Sequence, residues 1–124
     1  MARRPEPLKE LEEEILSLGG KVIAIPGDVS KPEEVEKAIQ LTVKKFGALH
    51  LAVNNAAISG HFGLLHETTI ENWKKVMGIN LDGIFYGMKY QIQAMLKNSG
   101  GSIVNIGSVE GTYHSSYESC LYFE

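Results

Sequence analysis

The chain has 124 residues, of which 44% are hydrophobic and 22% are charged, and this composition is typical of one globular domain. A formal net charge of −3 gives no reason to expect nucleic acid as a partner. The sequence has one cysteine, no signal-peptide core and no apolar run of about 20 residues, so we expect a cytoplasmic protein that is not bound to a membrane. His50, His61 and His66 lack zinc-ligand spacing, and no metal is expected.

The order of predicted elements is helix, strand, helix, strand, helix, strand. A first helix with apolar residues at helical spacing ends at Gly19-Gly20, and a second begins at a capping box formed by Ser30 and Glu33. The third helical segment contains several glycines, which predict a break or a kink near Asn80. The predicted strands are residues 21–25, 49–54 and 102–106. Short apolar strands alternating with helices predict an α/β fold with a parallel sheet and flanking helices.

Polar side chains follow each predicted strand, and in parallel sheets the chemistry lies beyond the carboxyl ends of the strands. Asp28 could accept a hydrogen bond from a ligand amine, or it could cap its own turn. The string "NNAA" at 54–57 is either a structural turn or a surface that a flat ligand can approach closely. Ser108 could be a hydroxyl donor, whereas the string around it lacks the G-x-S-x-G spacing of a hydrolase nucleophile.

Several strings resemble the short-chain dehydrogenase/reductase family when they are taken together. These strings are "GDVS" at 27–30, "NNAA" at 54–57, "INLDG" at 79–83 and "GGSIVNIGSVEG" at 100–111. They occur in the family's order, and three of them stand at predicted strand ends. The resemblance implies a partial Rossmann-like domain spanning residues 1–124, with a divergent tail at 112–124.

The resemblance implies hydride transfer between NADP or NAD and a small-molecule alcohol or carbonyl substrate. The catalytic residues that it implies are Asn80, Ser108 and Tyr122, although Tyr122 stands one position past the place where the family has its tyrosine. The cofactor-binding residues that it implies are Asp28, Val29, Asn55, Ala56 and Ala57. Arg3 and Arg4 favour NADP, because an arginine fork suits a phosphate, or they are a solvated terminus.

Two departures from the family pattern bear on activity. The glycine-rich phosphate turn and the Tyr-x-x-x-Lys motif are both missing, so we expect a chain truncated at both ends that is inactive alone. The alternative is a non-enzymatic remnant that binds a full-length relative through the helix at residues 86–96, whose apolar residues could equally be core.

The resemblance also implies that residues 21–25 are separated from residues 49–54 by two further strands. That arrangement would leave a gap of about 14 Å, or three strand spacings. Three outcomes follow: residues 21–25 pair directly with residues 49–54 in a three-stranded sheet, the edges pair with another chain, or the fold is largely molten. We expect the first outcome for an ordered monomer.

Overall fold

The structure is a computed structural model that describes residues 1–61 and 64–108. Its helices are α1 (Pro5–Ser17), α2 (Pro32–Phe46), α3 (Ile70–Met77) and α4 (Gly83–Met95), and its strands are β1 (Leu51–Asn54) and β2 (Ser102–Asn105). A π-helical turn at Gly78–Asp82 joins α3 to α4, and single 3-10 turns lie at Leu65–Glu67 and Leu96–Asn98. The irregularity predicted near Asn80 is therefore confirmed: a π-helical turn lies there, and the helical run continues through it.

The strands β1 and β2 form a two-stranded parallel sheet. Leu51 is opposite Ser102 and Asn54 is opposite Asn105 in its register. Beyond the last pair, the amide N–H of Ile106 donates to the carbonyl of Asn54 at 2.9 Å. The predicted α/β class with a small parallel sheet and flanking helices is confirmed, with both strands shorter than predicted.

The predicted strand at residues 21–25 is wrong, because this segment joins no strand ladder in the part of the chain that the structure describes. Next to the segment, Pro26 forms one isolated β-bridge with Ala2. Within it, the Ala24 N–H donates a hydrogen bond to Oε1 of Glu12 in α1, at 2.9 Å. An apolar run forms a strand only where a neighbouring strand makes a series of backbone hydrogen bonds with it. Here one backbone N–H of the run donates instead to a glutamate side chain of α1.

The expected three-stranded sheet is also wrong, since residues 21–25 do not pair with β1. A cavity of about 850 Å³ lies between them, with Ile23 and Ile25 on one side and Leu51 and Val53 on the other. The side chains of Leu51 and Val53 remain 75% and 64% exposed. The gap between the two segments has therefore stayed open.

The core lies where α4 packs against α2 and the sheet. Its members are apolar residues from these elements and the loop before β1: Leu49, Ala94 and Met95, with Ile39, Val43, Ala52 and Ile103 packed around them. Val76 in α3 is fully buried, whereas α1 contributes no buried residue. Across residues 1–61 and 64–108, no helix has the length and apolar character needed to cross a membrane.

Candidate functional site

Most of the predicted site residues line the cavity between residues 21–25 and β1. The wall combines the chain start, the turn after residues 21–25 and the turn after β1. The predicted nucleotide-contact residues that line it are Arg3, Arg4, Asp28, Val29, Asn55, Ala56 and Ala57. Asn80 and Ser108, both within the described residues, are not in this lining. The structure thus brings the predicted cofactor residues together and leaves two predicted catalytic residues off this wall.

Asp28 caps its own turn. Its Oδ1 accepts hydrogen bonds from the backbone N–H of Ser30 at 3.0 Å and from the Ser30 hydroxyl at 2.8 Å. The Asp28 N–H in turn donates to Oε2 of Glu34 in the first turn of α2, at 2.7 Å. The turn interpretation of Asp28 is therefore confirmed. It does not exclude ligand contact, because a carboxylate has two acceptor oxygens and both of these bonds use Oδ1.

The electrostatics of this turn keep Asp28 ionised. The backbone hydrogen bond from Ser30 lowers the pKa of Asp28, opposed in part by desolvation and supported by the Ser30 hydroxyl and the charge of Arg3. Beside it, the hydrogen bond from Lys31 to Glu34, at 2.8 Å, lowers the pKa of Glu34 and raises that of Lys31. The cavity wall therefore carries a fixed carboxylate close to the Arg3 cation.

The turn after β1 presents a small, accessible surface. Asn55, Ala56 and Ala57 are exposed, and their side chains leave room for a ligand to approach the backbone. Val29, which also lines the cavity, lies close to the start of α4, where a Cβ added at Gly83 would lie 2.9 Å from Val29 Cγ2. A glycine at position 83 thus lets the turn after residues 21–25 approach α4.

Asn80 is buried in the π-helical turn between α3 and α4, with 8% of its surface exposed. Its Oδ1 accepts from the Ile58 N–H at 3.0 Å, and its Nδ2 donates to the Ile58 carbonyl at 2.9 Å. Single π-helical turns inside α-helices occur frequently at functional sites. Here the turn directs the Asn80 amide at the residue that follows Asn55–Ala57.

Ser108 is half-buried just beyond β2, at the carboxyl end of the sheet. Tyr122 and the predicted tail at 112–124 lie outside the described residues. Of the three predicted catalytic residues, the described part of the chain therefore contains Asn80 and Ser108.

One polar cluster was missed by the sequence analysis. The side chains of Asn54, Gln91 and Asn105 are joined by hydrogen bonds beneath the turn after β1. Gln91 is 7% exposed on a helix face that otherwise buries small or apolar residues. A lone glutamine on an apolar face was the signal that could have revealed it, because buried polar groups require partners.

A family model described as short chain dehydrogenase matches residues 1–122 of the chain. Among curated proteins, the cyclohexanol dehydrogenase of Acinetobacter sp. (strain SE19) is 42% identical over 106 residues, which is 86% of this chain and 42% of the relative. The chain therefore spans about two fifths of the length of this relative.

Solved structures of short-chain dehydrogenases and ketoreductases share the fold of this chain. A variant of actinorhodin polyketide ketoreductase solved with NADPH matches with a TM-score of 0.85 and 31% identity, covering 94% of this chain and 45% of that chain. A short chain dehydrogenase/reductase from Burkholderia phymatum, solved in complex with NAD, matches with a TM-score of 0.87 and 28% identity, covering 94% of this chain and 42% of that chain. With a family model that matches almost its whole length and a fold shared with these solved structures, this chain belongs to the short-chain dehydrogenase/reductase family.

Proposed function

We propose that the chain belongs to an NAD(P)-dependent oxidoreductase that transfers a hydride between a nicotinamide cofactor and a small alcohol or carbonyl compound in the cytoplasm. The observation that carries this proposal is the convergence of the predicted nucleotide-contact residues on one cavity of about 850 Å³. That volume lies within the range of ordinary ligand sites. The matched structures that hold NADPH and NAD support the cofactor class.

The residues present fit the adenosine half of a dinucleotide. Asp28 is held ionised and could accept a hydrogen bond from the adenine amine, with Val29 flanking the ring. Arg3 and Arg4 could bind a 2′-phosphate bidentately, which favours NADP over NAD. The exposed segment Asn55–Ala57 would border the ribose and the nicotinamide.

The nicotinamide ring, when bound, accepts or donates the hydride. Ser108 would hold the substrate oxygen by a hydrogen bond from its hydroxyl. The Asn80 amide is engaged with Ile58, so we assign it to holding the segment beside Asn55–Ala57. That Asn80 also orders a proton-relay water stays a prediction.

We further propose that the chain alone binds nucleotide weakly and does not turn over substrate at a useful rate. One wall of the cavity is β1, whose side towards residues 21–25 is not covered by a strand among the described residues. Leu51 and Val53 expose most of their surface on that wall. A dinucleotide bound against this uncovered wall buries less of its surface than in a closed site, which costs affinity.

Nucleotide titration tests this proposal. Purified chain is titrated with NADPH and with NADH, and binding is followed by nicotinamide fluorescence. We expect weak binding, with Kd above about 100 μM, and a preference for NADPH that the double variant Arg3→Gln, Arg4→Gln removes.

The control is Lys45→Gln, which removes an exposed positive charge at the end of α2, away from the cavity lining. The control is expected to leave the NADPH preference unchanged. A micromolar Kd for the unmodified chain would contradict the expected weakness. An NADPH preference that survives the loss of both arginines would contradict their assignment.

A second candidate function is binding to a full-length relative, and the exposed face of α4 favours it. Phe85 and Ile92 are 57% and 46% exposed on α4, and Leu96, in the turn that follows, is 74% exposed. Met95, which belongs to the predicted binding helix at residues 86–96, is buried in the core. The apolar residues of this helix thus divide between the core and an exposed stripe.

Co-purification with a full-length family member tests this second function. The stripe predicts a complex that forms with the unmodified chain and is lost in the variant Ile92→Glu. The control variant Gln93→Glu places the same charge on an adjacent exposed position. Absence of a complex, or loss of the complex in both variants alike, would contradict a role for this stripe.

A further inference from the structure

We propose that Gln91 is a positioning residue that, together with Asn80, holds both ends of the segment Asn55–Ala57. The catalytic meaning of this inference rests on the proposed function, in which that segment borders the nicotinamide half of the cofactor. The hydrogen bonds themselves are features of this chain and can be tested without nucleotide.

Gln91 holds the upstream end of the segment through Asn54. Nε2 of Gln91 donates to Oδ1 of Asn54 at 2.7 Å, and Nδ2 of Asn54 donates to Oε1 of Gln91 at 3.1 Å. The two amides thus form a reciprocal pair. Because Gln91 is buried, loss of either partner would leave a polar group without a hydrogen bond, so the pair resists separation.

Asn80 holds the downstream end through Ile58 in the same reciprocal manner, with one donor and one acceptor bond to its backbone. The three residues between Asn54 and Ile58 carry exposed side chains that line the cavity. The helical unit is therefore attached to the chain immediately before and immediately after the predicted cofactor segment.

The two attachments lie on one helical run. Asn80 stands in the π-helical turn and Gln91 stands in α4, about 16 Å apart at about 1.5 Å per residue. Four residues of extended chain, from Asn54 to Ile58, span at most about 13 Å. The side chains of Asn54, Asn80 and Gln91 bridge the remaining distance, so the segment is held at both ends by the same helical run.

The same cluster reaches the second strand. The other hydrogen of Asn54 Nδ2 is donated to Oδ1 of Asn105 at 2.8 Å, and Asn54 and Asn105 are register partners at the ends of β1 and β2. Ser108 follows shortly after Asn105. Gln91 is thus hydrogen-bonded to Asn54, and Asn54 is hydrogen-bonded to the end of β2, from which the chain continues to Ser108.

The test compares Gln91→Met with Gln93→Met in the 124-residue chain. Both substitutions replace a glutamine of α4 by the same unbranched apolar side chain, but Gln93 is exposed. The first readout is backbone order at Asn55–Ala57, measured by ¹⁵N relaxation. The second is amide hydrogen exchange at Ile106, whose N–H donates to the carbonyl of Asn54, relative to Val35 in α2.

We expect Gln91→Met to lower the order parameters of Asn55–Ala57 from about 0.85 towards 0.6 or less. Exchange at Ile106 should accelerate at least about tenfold while exchange at Val35 is unchanged, since two partly buried hydrogen bonds are lost locally. Gln93→Met should change neither readout. In an Asn54→Ala background, Gln91→Met should have little additional effect, because the coupling passes through Asn54.

The inference would be overturned by unchanged order parameters at Asn55–Ala57. It would also be overturned by an equal acceleration of amide exchange at Ile106 and Val35, because that result indicates only a global loss of stability. NADPH affinity provides a separate measurement. If the unmodified chain binds NADPH, Gln91→Met should weaken binding about tenfold more than Gln93→Met. If the unmodified chain does not bind it, the proposed function fails while the order and exchange measurements still decide the role of Gln91.

Discussion

Replacing Gly87 by alanine should destabilise the chain, although alanine is the better helix former. Gly87 is buried in α4, and a Cβ added there would lie 2.8 Å from Oδ1 of Asn54. That oxygen accepts the 2.7 Å hydrogen bond from Gln91, so it cannot retreat without weakening the pair. The substitution therefore sets a gain in helix propensity against the loss of two partly buried hydrogen bonds.

The magnitudes favour destabilisation. Alanine gains about 1 kcal/mol over glycine in a helix interior. Loss of the two Asn54–Gln91 bonds costs about 2 kcal/mol, and forcing an extra carbon into a packed site adds about 1–3 kcal/mol. The net expected loss of unfolding free energy is about 2–4 kcal/mol.

Gly78 is the matched control, because it lies in the same helical run with a helical φ of −61°. The nearest heavy atom to a Cβ added there would be Ser30 Cβ, at 3.8 Å, which is ordinary contact. Gly78→Ala should therefore raise stability by up to about 1 kcal/mol. Urea unfolding followed by circular dichroism measures both variants, and a Gly87→Ala variant as stable as Gly78→Ala would refute the reasoning.

Two further outcomes are expected. Asn80→Ala leaves the Ile58 N–H and carbonyl without their side-chain partner and should lower the free energy of unfolding in urea by about 2–3 kcal/mol. The control Asn98→Ala loses one long hydrogen bond of 3.4 Å and should lower it by less than about 0.5 kcal/mol. Equal losses in the two variants would contradict the role of Asn80 in holding Ile58. Folding lowers the pKa of Asp28, so its contribution to stability is present above the unfolded-state value near 3.8 and is lost as pH falls through the folded-state pKa. Asp28→Asn should therefore lower the melting temperature at pH 7, and the difference from the unmodified chain should shrink near pH 3. A difference that does not shrink at all between pH 7 and pH 3 would show that charge is not the cause.

The sequence predicted local features of this fold well. The glycines before and within α4 predicted an interruption near Asn80, and the π-helical turn lies there. Apolar runs predicted β1 and β2 within two residues at each end, because both runs find a parallel partner. The predicted cofactor residues were identified through the resemblance, and the structure places them around one cavity.

Features that depend on distant partners were not predicted from the sequence. Residues 21–25 have the composition of a buried strand, but a strand also needs a neighbouring backbone, which composition does not show. Ser30 was predicted to cap α2, yet its hydroxyl donates to Asp28 and Lys31 is the N-cap residue. Gln91 pairs with a residue 37 positions away, a separation at which no helical or strand periodicity operates.

The unpaired side of β1 has a consequence for handling the protein. Among the described residues β1 pairs only with β2, so its other edge presents free backbone donors and acceptors beside the exposed side chains of Leu51 and Val53. Flat apolar edges of this kind recruit strands from other molecules. Self-association should therefore rise with concentration, and a charge introduced by Val53→Lys should improve solubility more than the same change at the solvent-facing Leu18.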